Sequence, residues 1–454
     1  MKWFKDILQK EEGSALATVL IISVIISLFI SSILSGILLQ SRFIQREVNS
    51  FNALYAAEEG VYRFLNKYSF TENFQNNQKV IVSNGTEVDI AASPFGGFID
   101  IQSKATVSGQ SRTIRVLAGS QNLSLSEQAI ALGDSTSALK VTGTTTIEGS
   151  IITYGRGIQT ESFRGILFSG NLTGDRHYFN KEIAFPAFDL SLFELQQDHF
   201  RLLVEDQRLR KFSSEYNGRN NDQAMQGDTL YFDGNTEWVT NQRVQFPTDL
   251  YIIVNGNFTI NGDYQFSPFS KLIVRDTLLV GGTVSGKNIL MYAGKSLQIG
   301  GGASLSAQLM SEGNIIIRDE AYLQYPSLVY SSKEFYEGGT EQVINIKDQS
   351  VVDGTVIYPI QTNSFTRDLF RVKIDTNATV RGSIYTQGQT ELLGTVLGSV
   401  NTHQFYFYYD GTSYINWLKD ITVDVKQRPE NFVLPIGFSD STRYELLDWY
   451  EMDK

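Results

Sequence analysis

The sequence predicts a mainly β protein with one long N-terminal α-helix, and three observations support this prediction. An apolar run without any charge extends from Gly13 to Ser41, and a helical pattern of apolar residues follows it. Glycine is frequent, at 38 residues against 8 prolines. Asn-Gly and Asp-Gly pairs, which favour tight turns between strands, recur at 84–85, 217–218, 233–234, 255–256, 261–262, 353–354 and 410–411.

Composition limits the classes of function. The 454 residues are enough for more than one domain. The chain has no cysteine, which excludes disulfides, thiolate metal sites and a cysteine nucleophile. With 49 acidic and 38 basic residues the net charge is −11, and we therefore expect no nucleic-acid partner.

The apolar run is long enough to span a bilayer. Beyond it, apolar residues recur at three- and four-residue steps and predict a single stripe on one helix, formed by Ile44, Val48, Phe51, Leu54, Ala57, Val61 and Leu65. A helix over 14–66 would be ~80 Å long, more than a bilayer requires. We therefore expect this helix to bundle with other helices outside the membrane.

Three interpretations of the N-terminus remain open on this pattern. A secretory signal peptide would have a shorter apolar region and a small-residue cleavage site after it. A single-pass anchor needs only the apolar run. A prepilin-type leader is short and polar, is cut before the apolar run and leaves that run on the mature protein.

Two segments carry a family resemblance. Residues 12–16 read EGSAL and lead into the apolar run, and residues 56–61 read AAEEGV. Together they resemble the N-terminal region of PilX-type minor pilins of type IV pilus systems, over roughly residues 10–66. The resemblance implies cleavage after Gly13 by prepilin peptidase and methylation of the new amine of Ser14.

The resemblance also bears on the role within a filament. Major pilins carry Glu as the fifth residue after the cut, where it neutralises the N-terminal amine of a neighbouring subunit. This chain has Thr18 at that position. A buried unpaired charge is costly, so the loss of this Glu favours a tip or priming subunit over a repeated shaft subunit.

The external part is predicted to be a small antiparallel sheet followed by a right-handed β-helix or solenoid, with a β-sandwich as the alternative. The solenoid prediction depends on an irregularly spaced three-residue motif, which we call the Gly phrase. It consists of Gly, a small polar residue and an apolar residue, as at 149–151, 256–258 and 382–384. The predicted leader spans 1–13, and the membrane and filament-core helix spans 14–66. The small sheet is predicted over 67–120 and the solenoid over 121–400, with a helical insertion at 186–213. An aromatic hairpin with a cap is predicted over 401–454.

Three local predictions refine this organisation. Ser191 to Glu194 has the form of a capping box at the start of the inserted helix. The polar stretch 214–243 is predicted to be a long loop. At the C-terminus, Asp410-Gly411 predicts a hairpin, and we expect the end of the solenoid to be closed by Leu446, Leu447, Trp449 and Tyr450.

Candidate chemical motifs are weak. Residues 281–287 read GGTVSGK, but Asn288 stands where a phosphate-binding loop needs Ser or Thr, and a strand is predicted to follow. The histidines, His177, His199 and His403, lack metal-ligand spacing. Asp319-Glu320 is an acidic pair of the kind found in glycosidases, without evidence for the required separation. We predict no cofactor, no metal and no enzymatic activity.

The sequence thus predicts a minor, tip or priming, pilin-like subunit in the cytoplasmic membrane with an external β domain. Its partners would be the membrane, prepilin peptidase, other pilin subunits and a surface glycan or protein receptor. The assembly residues would be Thr18, Ile44, Val48, Phe51 and Leu54, and the ligand surface would be Tyr406, Tyr408 and Tyr409. The alternatives are an anchored adhesin outside a filament and an anchored β-helix enzyme that acts on polysaccharides.

Overall fold

The computed structural model describes most of the chain. The described residues are 11–67, 78–121, 128–134, 136–154, 156–179, 188–206, 208–212, 229–246, 249–334, 342–359, 371–438 and 443–452. Residues 1–10 of the predicted leader lie outside them. The architecture is mostly β with one long N-terminal helix, as predicted.

Helix α1 spans Glu11–Lys67 and helix α2 spans Ser191–Val204. Strands β1 to β11 are Gln78–Ile81, Glu87–Phe95, Phe98–Val107, Gln110–Gln121, Gln128–Leu132, Leu139–Thr142, Thr146–Glu148, Ser150–Tyr154, Ile158–Thr160, Asn171–Thr173 and Arg176–Phe179. Strands β12 to β22 are Thr229–Phe232, Thr236–Val239, Val244–Gln245, Tyr251–Val254, Phe258–Asn261, Tyr264–Gln265, Lys271–Val274, Thr277–Gly281, Val284–Ala293, Ser296–Ile299 and Ser304–Ser311. Strands β23 to β33 are Asn314–Ile317, Tyr322–Ser331, Gln342–Ile346, Val351–Tyr358, Arg371–Ile374, Thr379–Leu392, Thr395–Tyr409, Thr412–Ile415, Trp417–Lys419, Thr422–Asp424 and Arg443–Met452.

The small sheet has the strand order β1-β2-β3-β4-β33. Its first hairpin turns at Asn84-Gly85, as predicted, with Gly85 at a φ of 79°. The expectation that Leu446, Leu447, Trp449 and Tyr450 close the solenoid is wrong, because β33 pairs beside β4 in this sheet. The edge of β4 offers unpaired backbone groups, and the last strand of the chain satisfies them. The chain divides into two compact units, and the second contains the whole solenoid.

The solenoid is built from parallel strands, which confirms the solenoid and excludes the sandwich. An aliphatic column runs through its core because successive coils pair in register. Its members are Leu230, Ile252, Leu272, Met291, Leu309, Val329, Val356, Ile384, Val400, Ile130 and Ile151. Burial of such a column is the main stabilising contribution to a solenoid.

The recurrent Gly phrase marks the corners of the coils. A Cβ added at Gly354, Gly382 or Gly398 would lie 1.9, 2.0 or 1.7 Å from a carbonyl oxygen of the preceding coil. Only glycine permits the backbones of successive coils to approach this closely. The corner geometry therefore explains the phrase that the sequence shows.

The order of the coils in space differs from their order in the chain. Strands β5, β6 and β7, near the start of the solenoid, pair with β29, β31 and β32 near its end. At β11 the column continues from Ile151 to Arg176, with which Ile151 pairs in register. Arg176 is exposed, so the apolar column is interrupted at this strand.

Helix α2 packs along one face of the solenoid. Phe193 stacks on Tyr330 at 4.3 Å between ring centroids, and Phe200 lies 5.1 Å from Tyr292. The predicted capping box is wrong. The helix begins at Ser191, whose backbone N–H donates to the Asp189 carboxylate at 2.9 Å. The N-cap residue is therefore Leu190, which makes no side-chain hydrogen bond.

The predicted loop over 214–243 is also wrong in part. Residues 213–228 lie outside the described part, but 229–232 and 236–239 are strands β12 and β13. Trp238 is fully buried and pairs in register with Ile260 of the next coil. Residues 233–235, which read DGN, form the turn between these two strands.

A buried carboxylate joins the early coils to the late ones. Asp134, 2% exposed, accepts hydrogen bonds from Asn416 Nδ2 at 2.8 Å and Gln404 Nε2 at 3.2 Å. Within its own turn it accepts from the backbone and hydroxyl of Thr136, both at 2.7 Å. These neutral donors compensate for the burial of the charge.

We predict that Asp134→Ala destabilises this junction by about 3 kcal/mol, because it leaves buried donors without an acceptor. Amide hydrogen exchange in β5 and β29 should accelerate accordingly. The exposed Asp175 supplies the control, and Asp175→Ala should leave those amides unchanged. Equal exchange in the two variants would contradict the role of Asp134.

Candidate functional site

Helix α1 has two halves with different surroundings. From Leu16 to Val48 its large apolar side chains are exposed, whereas from Ser50 onward one face is buried. The helix has an apolar stretch long enough to cross a membrane, with a mean hydropathy of 2.6 and none of that stretch buried. The exposed half therefore needs an apolar environment that the chain does not supply for itself.

Small residues form the buried face of the second half. Ser50, Ala53, Ala57 and Gly60 follow one another at three- and four-residue steps and are all buried. A Cβ at Gly60 would lie 2.8 Å from Val88 Cγ1. Small side chains let the helix approach the strands closely. This close approach explains why residues 56–60 read AAEEG.

Polar contacts fix the helix at this distance. Ser103 Oγ donates to the carbonyl oxygen of Ala57 at 2.8 Å. Arg112 Nε donates to Ser50 Oγ at 2.6 Å, and its Nη1 lies 2.7 Å from the Glu451 carboxylate. Arg112 thereby connects the helix, β4 and the last strand of the chain. This contact was not predicted, because no local pattern in the sequence joins positions so far apart.

A second polar contact involves Glu59. Its carboxylate accepts from Arg63 Nε at 2.8 Å and from the backbone N–H of Ser83 at 2.8 Å. The guanidinium of Arg63 also donates to the carbonyl oxygen of Ile81 at 3.0 Å. The Glu59 carboxylate is thus paired within the chain through Oε1.

The opposite face of α1 carries an exposed apolar row, which we call the outer seam. Its members are Ile44, Val48, Phe51, Tyr55 and Tyr62, with exposed fractions of 51%, 45%, 57%, 63% and 56%.

The predicted single stripe is therefore wrong. Ala57, Val61 and Leu65 lie on the buried face, while Ile44, Val48 and Phe51 lie on the outer seam, and Leu54 is half-buried. Seven positions at three- and four-residue steps drift around a helix of 3.6 residues per turn, so they came to span two faces. Tyr55 and Tyr62 were missed, although they continue the spacing of Val48 by seven residues each.

The predicted processing residues Gly13 and Ser14 lie in α1, and their processing stays a prediction. Thr18 lies on the exposed half of the same helix. Its assembly role stays a prediction as well.

The predicted ligand surface lies on a hairpin, as expected from Asp410-Gly411. Tyr408 and Tyr409 are 53% and 43% exposed, whereas Tyr406 is buried with the Arg371 guanidinium 4.5 Å from its ring centroid. Tyr406 therefore offers no free ring. The ring of Tyr409 also packs against Phe163, whose centroid lies 5.1–5.5 Å from the ring centroids of Phe407, Tyr409, Tyr414 and Trp417.

The remaining motifs lie at structural positions. Residues 284–293 form strand β20 directly after the GGT corner, and no helix opens there. Asp319 and Glu320 line a surface hollow of about 430 Å³, with Arg318 3.4 Å from the Asp319 carboxylate. Burial, and then the charge of Lys271, lower the pKa of His199. Among the described residues, no group of three His, Asp or Glu side chains is placed to hold a metal ion.

Comparison with known proteins identifies no family. No family model and no curated protein matches this chain. A similar solved structure is the crystal structure of the competence-associated pilin ComZ from Thermus thermophilus, with 11% identity, coverage of 89% of this chain and 97% of that chain, and a TM-score of 0.22. That overlap is too low to support an argument about this chain.

We predict that Gly60→Val separates α1 from β2, because the added side chain meets Val88, at a cost of about 1–3 kcal/mol. Amide exchange in helix residues 50–67 should accelerate roughly tenfold. Gly36 is the matched control on the same helix, since a Cβ there meets nothing within 4 Å. If Gly36→Val accelerated exchange equally, close approach at Gly60 would not be the cause.

Proposed function

We propose that this chain is a membrane-anchored minor pilin-like subunit, which is cut after Gly13 and assembled through α1 into a type IV pilus or related filament. The observation that carries the proposal is the two-sided helix. One face of its second half packs on the small sheet, while the outer seam stays exposed and continues an apolar stretch long enough for a bilayer. Packing against the N-terminal helices of other pilin subunits would cover both apolar surfaces.

The proposal places the chain at a tip or priming position. Thr18 supplies no carboxylate for a neighbouring N-terminal amine. The inserted solenoid is bulky, and such a domain on every subunit of a shaft would crowd its neighbours. The proposal assigns no catalytic role, and the acidic side chains Asp319 and Asp348 have Arg318 and Lys347 within 3.4 Å as neutralising partners.

A second candidate function is adhesion through the hairpin. The exposed ring of Tyr408 favours it, since tyrosine combines an apolar face with a hydroxyl and is enriched in binding surfaces. The occupant would be a surface glycan or a protein receptor. Tyr408→Ala should abolish surface binding with filaments intact, and unchanged binding would remove this ring from consideration.

We predict that Val48→Glu lowers the amount of the chain in sheared filaments by at least roughly tenfold, because assembly would bury an unpaired carboxylate. Immunoblotting of sheared filaments against the membrane fraction measures the effect. Gln45→Glu is the matched control, because Gln45 is exposed at nearly the same height but lies off the outer seam. Normal recovery of the Val48→Glu variant in filaments would contradict assembly through this face.

A further inference from the structure

One charged side chain interrupts the outer seam. The row advances from Ile44 by alternating steps of four and three residues, and the position between Tyr55 and Tyr62 is Glu58. This alternation is the spacing of core positions in a helix–helix interface. Glu58 therefore lies where a partner helix would pack.

Glu58 and its neighbour Glu59 have opposite surroundings. Glu59 binds Arg63 and Ser83 within the chain. Glu58 is half-buried and makes no hydrogen bond or ion pair with any residue that the structure describes. The chain thus compensates one carboxylate of the pair and leaves the other on the docking face.

A carboxylate in a packed helix seam demands a basic partner. An unpaired charge in an interface is strongly unfavourable, whereas a polar residue at one core position, matched across the interface, selects the partner. A second copy of this chain cannot supply the match, because its outer seam contains neither Lys nor Arg.

We propose that Glu58 selects the neighbour of this subunit, and that the neighbour is an apolar helix of a different polypeptide with a Lys or Arg in its own seam. The inference rests on the proposed function, since it concerns the partner of the same helix. It predicts that this chain does not assemble with a second copy of itself through the outer seam. Discrimination against a second copy would also keep the subunit at low copy number.

The absence of cysteine makes the interface accessible to site-specific cross-linking. In full-length protein expressed in its own cells, Tyr55→Cys is labelled with benzophenone maleimide and irradiated. The expected product joins this chain to a different polypeptide, and the cross-linked helix of that polypeptide contains a Lys or Arg. Adding Glu58→Lys should lower the yield about tenfold, whereas the off-seam Gln45→Lys should not change it.

A further variant tests selection directly. Glu58→Leu makes the seam wholly apolar, so a homodimeric cross-link should appear. In a second experiment the partner's Lys or Arg is replaced by an acidic residue and combined with Glu58→Lys. Recovery of the cross-link yield in this combination would establish the pair.

Several outcomes would overturn the inference. They are a homodimeric product with Glu58 present, a cross-linked helix without a basic residue, an unchanged yield with Glu58→Lys, or no product. If the chain is still recovered in sheared filaments in those cases, the proposed function stands and only the selection by Glu58 fails. If the chain is missing from filaments, the proposed function fails.

Discussion

The close approach of α1 to the small sheet is the constraint on which the rest of this unit depends. Gly60 sits where even a methyl group would meet Val88, and Ala53 and Ala57 extend the same narrow contact. Over residues 50–60 the inner face carries small residues, whereas Phe51 and Tyr55 of the same segment are exposed. The outer seam is therefore left uncovered by the packing of the helix on the sheet.

The last strand of the chain makes this unit depend on the solenoid. The small sheet receives β33 only after the whole solenoid has been made, since the solenoid lies in sequence between β4 and β33. Arg112 then bridges Ser50 of the helix and Glu451 of the last strand. A chain that ended before β33 would lack this bridge, so the helix–sheet unit depends on residues that follow the solenoid in sequence.

Sequence reasoning predicted features that depend on local chemistry. The uncharged run, the Asn84-Gly85 and Asp410-Gly411 turns and the Gly phrase each report a local backbone requirement, and together they predicted the helix, the hairpins and the solenoid. It failed where the partner lies far along the chain. Nothing near Leu446 indicates pairing beside β4, and nothing near Asp134 indicates Asn416. It also failed where one pattern fits two faces, as with Ala57 and Phe51, because apolar spacing alone does not tell which face packs within the chain.

We propose that this chain is a processed subunit of a filament, and the mature N-terminus of the chain in filaments provides the decisive test. Filaments sheared from cells that express the chain can be separated from the membrane fraction, and the intact mass of the chain can be measured in each. We expect the filament fraction to contain the chain beginning at Ser14, without residues 1–13. A chain that begins at Met1, stays in the membrane fraction and is absent from the filaments would contradict it.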